Sequence, residues 1–449
     1  MHAPIPPNPL LVDPILPTLT RLSLPNMISM LAIALVAVAE TAYVGLLGTA
    51  PLAAMALVFP MVMLQQTMSA GAMGGGISSA ISRALGAGLM QRAEAVAFHA
   101  TVIGLGAGLA MFIAFLAGGP WIYRILGGSG DVLGQALLYS NTIFFGAVSI
   151  WLTNTFASIV RGGGNMKVPS ATLLVAAALQ VVLGGALGLG LGPFPRLGML
   201  GIGLGQVIAF TAAALFLAGY LMSSRARVRL SFSQKLSREI FFDILRVGGI
   251  ASLSSVQTVL TVLIVTALVS RFGDEALAGY GIGARLEFLL IPIVFAVGVA
   301  CVPMVGMAVG SGNIPRARSV AWTGGLLAAI IVGVVGIVVA LAPDLWGKLF
   351  TTNEAVLAAA RSYFAWAGPT YFFFGLGLCL YFASQGAGKI IGPVLAQSVR
   401  LITVALGGWW LTATNAPVWQ MFALVGIAMV VYGLAAAAAV YFVRWGKLA

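Results

Sequence analysis

Long runs of apolar residues dominate the chain, and short polar connections separate them. Each run is long enough to cross a bilayer as a helix, which takes about 20 residues. Backbone groups in lipid must find partners within their own segment, so these runs predict helices and exclude a β-barrel. The sequence therefore predicts an all-α polytopic membrane protein. Its twelve transmembrane helices, helix 1 to helix 12, are expected near residues 24–47, 51–82, 93–119, 133–160, 168–191, 198–222, 246–270, 276–309, 317–342, 356–384, 391–412 and 417–443.

Composition agrees with this class. Of the 449 residues 60% are hydrophobic and 8% are charged, whereas a soluble domain carries roughly 25% charged residues. A net charge of +12 would suggest nucleic acid as a partner of a soluble protein, but lysine and arginine set the topology of a membrane protein. No nucleic acid is therefore expected as a partner. Cys301 and Cys379 lie in apolar segments without metal-binding spacing, so no metal is expected either. Residues 1–20 lack the pattern of a cleaved signal peptide.

Positive charges orient the predicted helices. With both termini in the cytoplasm, sixteen basic residues fall on the cytoplasmic side and five on the other, which is the positive-inside bias of membrane proteins. The cytoplasmic set comprises Arg21, Arg83, Arg92, Arg161, Lys167, Arg225, Arg227, Arg229, Lys235, Arg238, Arg246, Arg316, Arg318, Lys389, Arg444 and Lys447. The opposite set comprises Arg124, Arg196, Arg271, Lys348 and Arg361.

The two halves of the chain repeat each other. Three blocks of the first half recur in the second at a spacing of 224 or 225 residues, and the longest matches at six of thirteen positions: 86–98 with 310–322, 161–169 with 385–393, and 48–54 with 273–279. Six helices per half predict a parallel repeat about an axis along the membrane normal. Transporters built in this way bind their substrate between two lobes and expose it to alternate sides of the membrane.

The repeat divides the chain into an N-lobe (24–222) and a C-lobe (246–443). An N-terminal cytoplasmic segment (1–23) precedes them, and a short tail (444–449) follows. The lobes are joined by a linker (223–245), the longest polar stretch of the chain. Basic amphipathic segments commonly lie at membrane surfaces, so a cytoplasmic linker with an interfacial helix is expected.

One carboxylate, Glu40, lies inside helix 1. The apolar side chains of this helix offer it no partner, and a charge at bilayer depth costs about 3 kcal/mol or more on insertion scales. Such a residue usually faces a cavity and acts there, so Glu40 is the predicted functional acid. The alternative is a glutamate near enough to the helix end at Gly48 to reach the interface.

Several motifs of the first half form a recognisable set. Helix 1 carries Pro25 and, fifteen residues later, Glu40 in the string AETAYVGLLG. Helices 2 and 4 end in ISRALGAG (81–88) and RGGGNMKVP (161–169), and helix 6 opens with GMLGIGLGQVIA (198–209). Together these strings resemble the motifs of the multidrug and toxic compound extrusion (MATE) transporters. The resemblance implies export of small molecules across a bacterial inner membrane, driven by an inward ion gradient.

The sequence departs from the family pattern at its acids. Helix 5 has Gln180 and Gly184 where the family often has an asparagine and an aspartate. Helix 7 has Gln257, and helix 10 has no acid, where one branch has a glutamate and an aspartate. The pattern is most similar to the DinF-like branch, whose coupling acid lies in helix 1. The resemblance therefore assigns ion coupling to Glu40, which replaces the usual aspartate.

A buried carboxyl suits proton coupling. Burial disfavours its charged form, so Glu40 could load a proton outside and release it inside. The charged form would attract a cationic drug, and the protonated form would let it leave. Sodium needs several oxygen ligands and the helix-5 aspartate is missing, so the proton is the expected coupling ion and sodium the alternative. No other cofactor is expected, the partners are a small-molecule substrate and the bilayer, and a monomer suffices.

Five further polar residues are candidates for the walls of a substrate cavity: Tyr43, Asn154 and Gln180 in the N-lobe, and Gln257 and Glu287 in the C-lobe. Tyr43 lies three residues after Glu40 on the same helix face. For the neutral residues the alternative is an interhelical hydrogen bond, worth about 0.6 kcal/mol on average. Glu287 could instead pair with Arg400, which would give it a structural role.

Two other functions compete with drug export. A flippase for a lipid-linked saccharide of the same superfamily would need several basic residues against the phosphates, and only Arg285 and Arg400, both in the second half, lie inside helices. An intramembrane enzyme would need a catalytic cluster. Two histidines, one of them His2, cannot supply a metal site, so an enzyme is not expected.

Overall fold

Helices account for the secondary structure of the computed structural model, which describes residues 9–446. Eleven helices are each long and apolar enough to span a membrane, and the pair Gly130–Phe145 and Ala147–Gly162, bent by 44°, makes up helix 4. The first six are Ile15–Leu47, Thr49–Gly86, Met90–Ile125, this pair, Lys167–Leu189 and Met199–Met222. The last six are Arg238–Phe272, Asp274–Gly310, Ile314–Leu341, Glu354–Gly386, Ile391–Ala413 and Val418–Phe442. The predicted fold class and number of spans are confirmed.

Helices 1 and 7 begin earlier than the apolar pattern predicts. Helix 1 starts at Ile15 rather than near residue 24, and helix 7 starts at Arg238 rather than near residue 246. Their additional turns are polar enough to stand outside lipid, which is why hydropathy alone misses them. Short helical turns also occur at Pro9–Val12 and Asp344–Gly347. The predicted positions 1–8 and 447–449, including Lys447, lie outside the described residues.

The linker does not contain the expected interfacial helix between residues 223 and 237, where the chain is non-helical. Its apolar residues Ala226, Val228 and Leu230 are buried at every second position. A spacing of two is the period of an extended chain, whereas a helix presents one face every three to four residues. Apolar and polar residues do alternate between buried and exposed positions here, but with the period of an extended chain rather than that of a helix.

The helix boundaries repeat with the sequence. Five boundaries of the first half recur 224 residues later at corresponding helix ends: Gly86 with Gly310, Met90 with Ile314, Gly162 with Gly386, Lys167 with Ile391, and Leu189 with Ala413. Glycines with positive φ follow at the same offset, at Gly88 and Gly312 and at Gly164 and Gly388. The two halves are thus built from the same order of helices and tight turns.

The helices form two compact units. The N-terminal unit comprises residues 24–249, and its buried core joins apolar side chains of helices 2, 3, 4 and 6. Helices 5 and 6 approach very closely, because a Cβ on Gly205 would lie 2.5 Å from the backbone nitrogen of Gly184. Small residues permit such close approach of membrane helices.

The C-terminal unit comprises residues 250–446 together with residues 9–23. Arg316, at the start of helix 9, holds this early segment by donating to the backbone oxygens of Leu10 at 3.0 Å and Asp13 at 2.6 Å. Cys301 and Cys379 are buried free thiols whose sulfurs lie 3.9 Å apart.

Candidate functional site

Glu40 lies inside the N-terminal unit, with 5% of its surface exposed. Its Oε1 accepts a hydrogen bond of 2.7 Å from Nε2 of Gln180 on helix 5. Among the residues that the structure describes, no basic side chain lies within 4.0 Å of this carboxylate. The structure thus brings together Glu40 and Gln180, two of the predicted residues. Glu40 is buried, whereas a glutamate that reaches the interface would be exposed.

Two tyrosines surround this pair. Tyr43 packs its ring against helix 5, where a Cβ on Gly185 would lie 3.0 Å from ring atoms. Tyr139 of helix 4 is 3% exposed and lies close enough to interact electrostatically with Glu40. Tyr43 was predicted from its position on the face of Glu40. Tyr139 was not, because an aromatic residue on an apolar helix carries no signal of its neighbours.

Asn154 belongs to a different polar cluster. Its Nδ2 donates a hydrogen bond to Oγ of Ser69 over 2.8 Å. Oγ of Ser69 in turn donates a hydrogen bond to the backbone oxygen of Gln65, also over 2.8 Å. Ser69 lies in a π-helical segment of helix 2, Thr67–Met73, a local distortion that often marks functional sites. The side-chain amide of Gln65 is buried and lacks a hydrogen-bond partner within the described part of the chain. The structure therefore places Asn154 beside helix 2 and shows no bond from it to Glu40.

Gln257 forms an interhelical hydrogen bond in the C-terminal unit. Its Nε2 donates 2.7 Å to Oγ of Ser398 on helix 11. One residue away on each helix, Nε2 of Gln397 donates 3.1 Å to Oγ1 of Thr258. The two bonds tie helix 7 to helix 11, which is the packing role given above as the alternative for the neutral residues.

Glu287 lies among aromatic side chains of the C-terminal unit. It accepts a hydrogen bond from the Tyr363 hydroxyl. The guanidinium of Arg400 lies 5.3 Å from the ring centre of Phe374 and 5.8 Å from that of Tyr432. Arg400 is near enough to act electrostatically on Glu287, but within residues 9–446 no ion pair of 4.0 Å or less joins the two. A direct salt bridge between them is thus absent there, and aromatic rings hold Arg400.

The described residues contain no group of three or more histidine, cysteine, aspartate or glutamate side chains that could hold a metal ion. A carboxylate such as Glu40 or Glu287 can bind and release a proton or a cation. Gln180 donates a hydrogen bond to Glu40, and Tyr363 donates one to Glu287.

Comparison with known proteins gives consistent results. The protein is 26% identical over 444 residues to the multidrug export protein MepA of Staphylococcus aureus, covering 96% of this chain and 95% of the relative. It is 27% identical over 316 residues to a FAD transporter of Shewanella oneidensis, covering 69% of this chain and 68% of the relative.

Solved structures share the fold. An outward-facing multidrug resistance MATE transporter of the MOP superfamily superposes with a TM-score of 0.86 at 25% identity, covering 96% of each chain. A MOP superfamily transporter from Pyrococcus furiosus superposes with a TM-score of 0.87 at 24% identity, covering 97% of this chain and 96% of that one.

The family assignment rests on the match to a family profile. The MatE family profile matches residues 25–185 and 251–410, which together make up more than half of the chain and contain Glu40, Gln180, Gln257 and Glu287. Members of this family are transporters, so the alternative of an intramembrane enzyme is removed. The protein belongs to the MATE family of membrane transporters.

Proposed function

We propose that this transporter exports amphipathic, mostly cationic small molecules from a bacterial cell in exchange for protons, and that Glu40 is the coupling carboxylate. The observation that carries the proposal is the buried Glu40–Gln180 pair, which holds a carboxylate inside the membrane with an amide donor and no basic partner within 4.0 Å among residues 9–446. The protein acts as a monomer in the inner membrane with both termini in the cytoplasm. The relation to MepA, a multidrug export protein, supports the substrate class.

The geometry accounts for exchange in simple terms. A buried carboxylate without a counter-ion is costly, and either a proton or a bound cation relieves that cost. The amide of Gln180 stabilises the ionised form by one hydrogen bond, so the empty, charged state is tolerated during turnover. Because proton and cationic substrate compensate the same charge, binding of one favours release of the other.

The surroundings of Glu40 favour the proton over sodium. Hard cations are held by several oxygen ligands. Gln180 presents a donor nitrogen to Glu40 rather than a second oxygen. Gly184, where the family often has an aspartate, lies at the tight contact between helices 5 and 6 and carries no side chain. Sodium coupling is therefore the weaker alternative.

The test is export of ethidium from proteoliposomes under an imposed pH gradient, with and without sodium. We expect sodium-independent export by the wild type and by Gln257→Ala, which loses only an interhelical bond, and loss of export in Glu40→Gln. Export by Glu40→Gln at the wild-type rate would refute the role of Glu40, and a requirement for a sodium gradient would refute proton coupling.

A second candidate function is export of an anionic aromatic compound such as a flavin dinucleotide. The relative in Shewanella oneidensis is a FAD transporter. Arg400 supports this candidate, because it is 7% exposed, lies over two aromatic rings and forms no ion pair within the described chain. Export of FAD that is lost in Arg400→Gln would favour this candidate over cation export, and failure to transport FAD would remove it.

A further inference from the structure

The linker presents a row of three arginines on a fixed backbone. Residues 225–230 alternate, so that Ala226, Val228 and Leu230 are buried in the core of the N-terminal unit while Arg225, Arg227 and Arg229 are exposed. In an extended chain residues two apart lie roughly 6.5 Å from each other on the same side. We call these three side chains the arginine row.

Hydrogen bonds hold this segment against the helices. The amide of Leu230 donates 3.0 Å to the backbone oxygen of Leu221 at the end of helix 6. Nη1 of Arg227 donates 3.2 Å to the backbone oxygen of Gly163 in the turn after helix 4. Further along, the amide of Ser237 donates 2.7 Å to Nε2 of buried His99. The arginine row is therefore anchored at both ends.

A cavity of about 180 Å³ opens beside the arginine row. Its walls include Gly163, Asn165, Tyr220, Arg225 and Arg227, and none of the described residues that line it is an acid. Gly164, which also lines the cavity, lies in the turn after helix 4. Its φ of +92° suits a residue without a side chain. The Asn165 amide donates to the Tyr220 hydroxyl, which donates to the backbone oxygen of Arg225, so the guanidinium groups of Arg225 and Arg227 are the donors that the lining offers to an anion.

The positive charge of this region is not compensated by the protein. The two acids of the linker end are already used, since Glu239 pairs with Arg92 at 2.9 Å and Asp243 with Arg83 at 2.7 Å. The arginine row has no acid within 4.0 Å among the described residues. Partial burial lowers the pKa of the Arg227 guanidinium, and no carboxylate counteracts this. An anion bound here would relieve that cost.

A buried cation, Arg161, lies close to the cavity residues in sequence. Arg161, which lies in sequence between the cavity residues Val160 and Gly163, is 2% exposed. Its Nε and Nη2 lack hydrogen-bond partners in the part of the chain that the structure describes. Among the described residues no acid lies within 4.0 Å of Arg161, so a second buried guanidinium without a counter-ion belongs to the same stretch of chain as the cavity lining.

We propose that the arginine row and its cavity bind the phosphate groups of anionic lipids, on the membrane face that the positive-inside rule assigns to the cytoplasm. Basic pockets between membrane helices on this face are suited to acidic headgroups. A lipid rather than a soluble phosphate is favoured because Phe232, Leu236 and Phe242 of the same region are exposed by 61%, 66% and 64%. Exposed apolar side chains beside a basic surface are typical of a segment that lies in the membrane interface.

The test measures binding of fluorescent phosphatidylglycerol to the purified full-length protein in neutral detergent. Phosphatidylcholine serves as the uncharged lipid and inorganic pyrophosphate as the soluble phosphate. The variant replaces Arg225, Arg227 and Arg229 by glutamine. The matched control replaces the exposed Arg124, Arg196 and Arg271, on the opposite membrane side, by glutamine, which removes the same charge.

We expect phosphatidylglycerol to bind the wild type more tightly than phosphatidylcholine. The row variant should lose about 100-fold in affinity, because each basic residue near an anionic surface contributes roughly a factor of five. The control should bind as the wild type, and a lysine triple variant should retain most of the affinity. Unchanged binding by the row variant would overturn the site. Pyrophosphate binding as tightly as phosphatidylglycerol would overturn the assignment to lipid.

Discussion

A buried ion pair fixes the start of helix 7 to the N-terminal unit, and its removal gives a sharp test of the packing. Arg83 of helix 2 is 5% exposed, and its Nη2 lies 2.7 Å from Oδ1 of Asp243. Arg83 also donates to the Ser79 hydroxyl. One turn earlier on helix 7, Glu239 pairs with Arg92 at 2.9 Å, but its side chain is 72% exposed. The two acids differ mainly in the burial of their partners.

The burial of the basic partner determines how much stability each acid contributes. Asp243→Ala leaves a buried guanidinium without its counter-ion and should lower the free energy of unfolding by about 3 kcal/mol. This value is at the lower end of the range for broken buried ion pairs, because the Asp243 side chain is 29% exposed. Glu239→Ala breaks an exposed pair, worth less than about 1 kcal/mol. In a unit of this size 3 kcal/mol corresponds to roughly 6 to 12 °C in melting temperature.

The assay is thermal unfolding of the purified variants, followed by intrinsic fluorescence at one fixed scan rate because membrane proteins often unfold irreversibly. We expect a large loss for Asp243→Ala and a small one for Glu239→Ala. The double variant Arg83→Met with Asp243→Ala should recover much of the loss, since it removes the unpaired charge. Equal losses for the two single variants, or a double variant as unstable as the sum of its parts, would refute this reasoning.

Two further predictions concern other parts of the chain. Arg361 holds the pKa of Asp344 below its usual range, so this contact favours the folded state above the unfolded pKa of about 3.9 and is lost only at lower pH; the protection of amides around residue 344 against hydrogen exchange, relative to the intrinsic exchange rate at each pH, should stay constant from pH 7 to 5 and fall at neutral pH in Asp344→Asn. Gly205→Leu should lower the yield of folded protein by forcing helices 5 and 6 apart, whereas Gly219→Leu, with open space around its Cβ, should not; equal yields would contradict this packing.

Hydropathy and the repeat were sufficient to predict the helices, but not the contacts between them. The long apolar runs predict twelve spans because length and hydrophobicity alone decide whether a segment crosses a bilayer. They do not say which faces meet, since these helices are apolar on most sides. Glu40 and Gln180 could be named because polar residues in lipid are rare and costly. Tyr139 and Tyr363, which adjoin the acids, could not, because aromatic residues are common in such helices.

The linker illustrates a different limit. An interfacial helix was expected in it, but residues 223–237 are non-helical. The apolar residues Ala226, Val228 and Leu230 are spaced by two, which indicates an extended chain. The pattern of the residues around them fits an amphipathic helix about as well, so the sequence does not decide between the two. Burial against helix 6 decides between them, because the extended chain places three apolar side chains in the core. Tertiary packing is not visible in a single sequence.

The two acids within the membrane helices, Glu40 and Glu287, are the feature that the repeat does not explain. Helix ends recur at 224 residues, yet the positions that correspond to Glu40 are Ile264 or Val265, at offsets of 224 and 225, and the position that corresponds to Glu287 is Met63 at 224. Shared glycines and turns follow from the common fold, whereas an acid in lipid persists only where its cost is offset by use.

The surroundings of the two acids also differ. Glu287 has the positive charge of Arg400 in its electrostatic surroundings, and Tyr363 donates to it. Within residues 9–446, Glu40 accepts a hydrogen bond from the neutral amide of Gln180 and has Tyr139 in its electrostatic surroundings. The charge of Glu287 is thus partly balanced by the protein, while that of Glu40 is not balanced by any described basic side chain within 4.0 Å. This difference supports the proposal that Glu40 is the coupling carboxylate, because its charge can be neutralised in turn by a proton and by a cationic substrate.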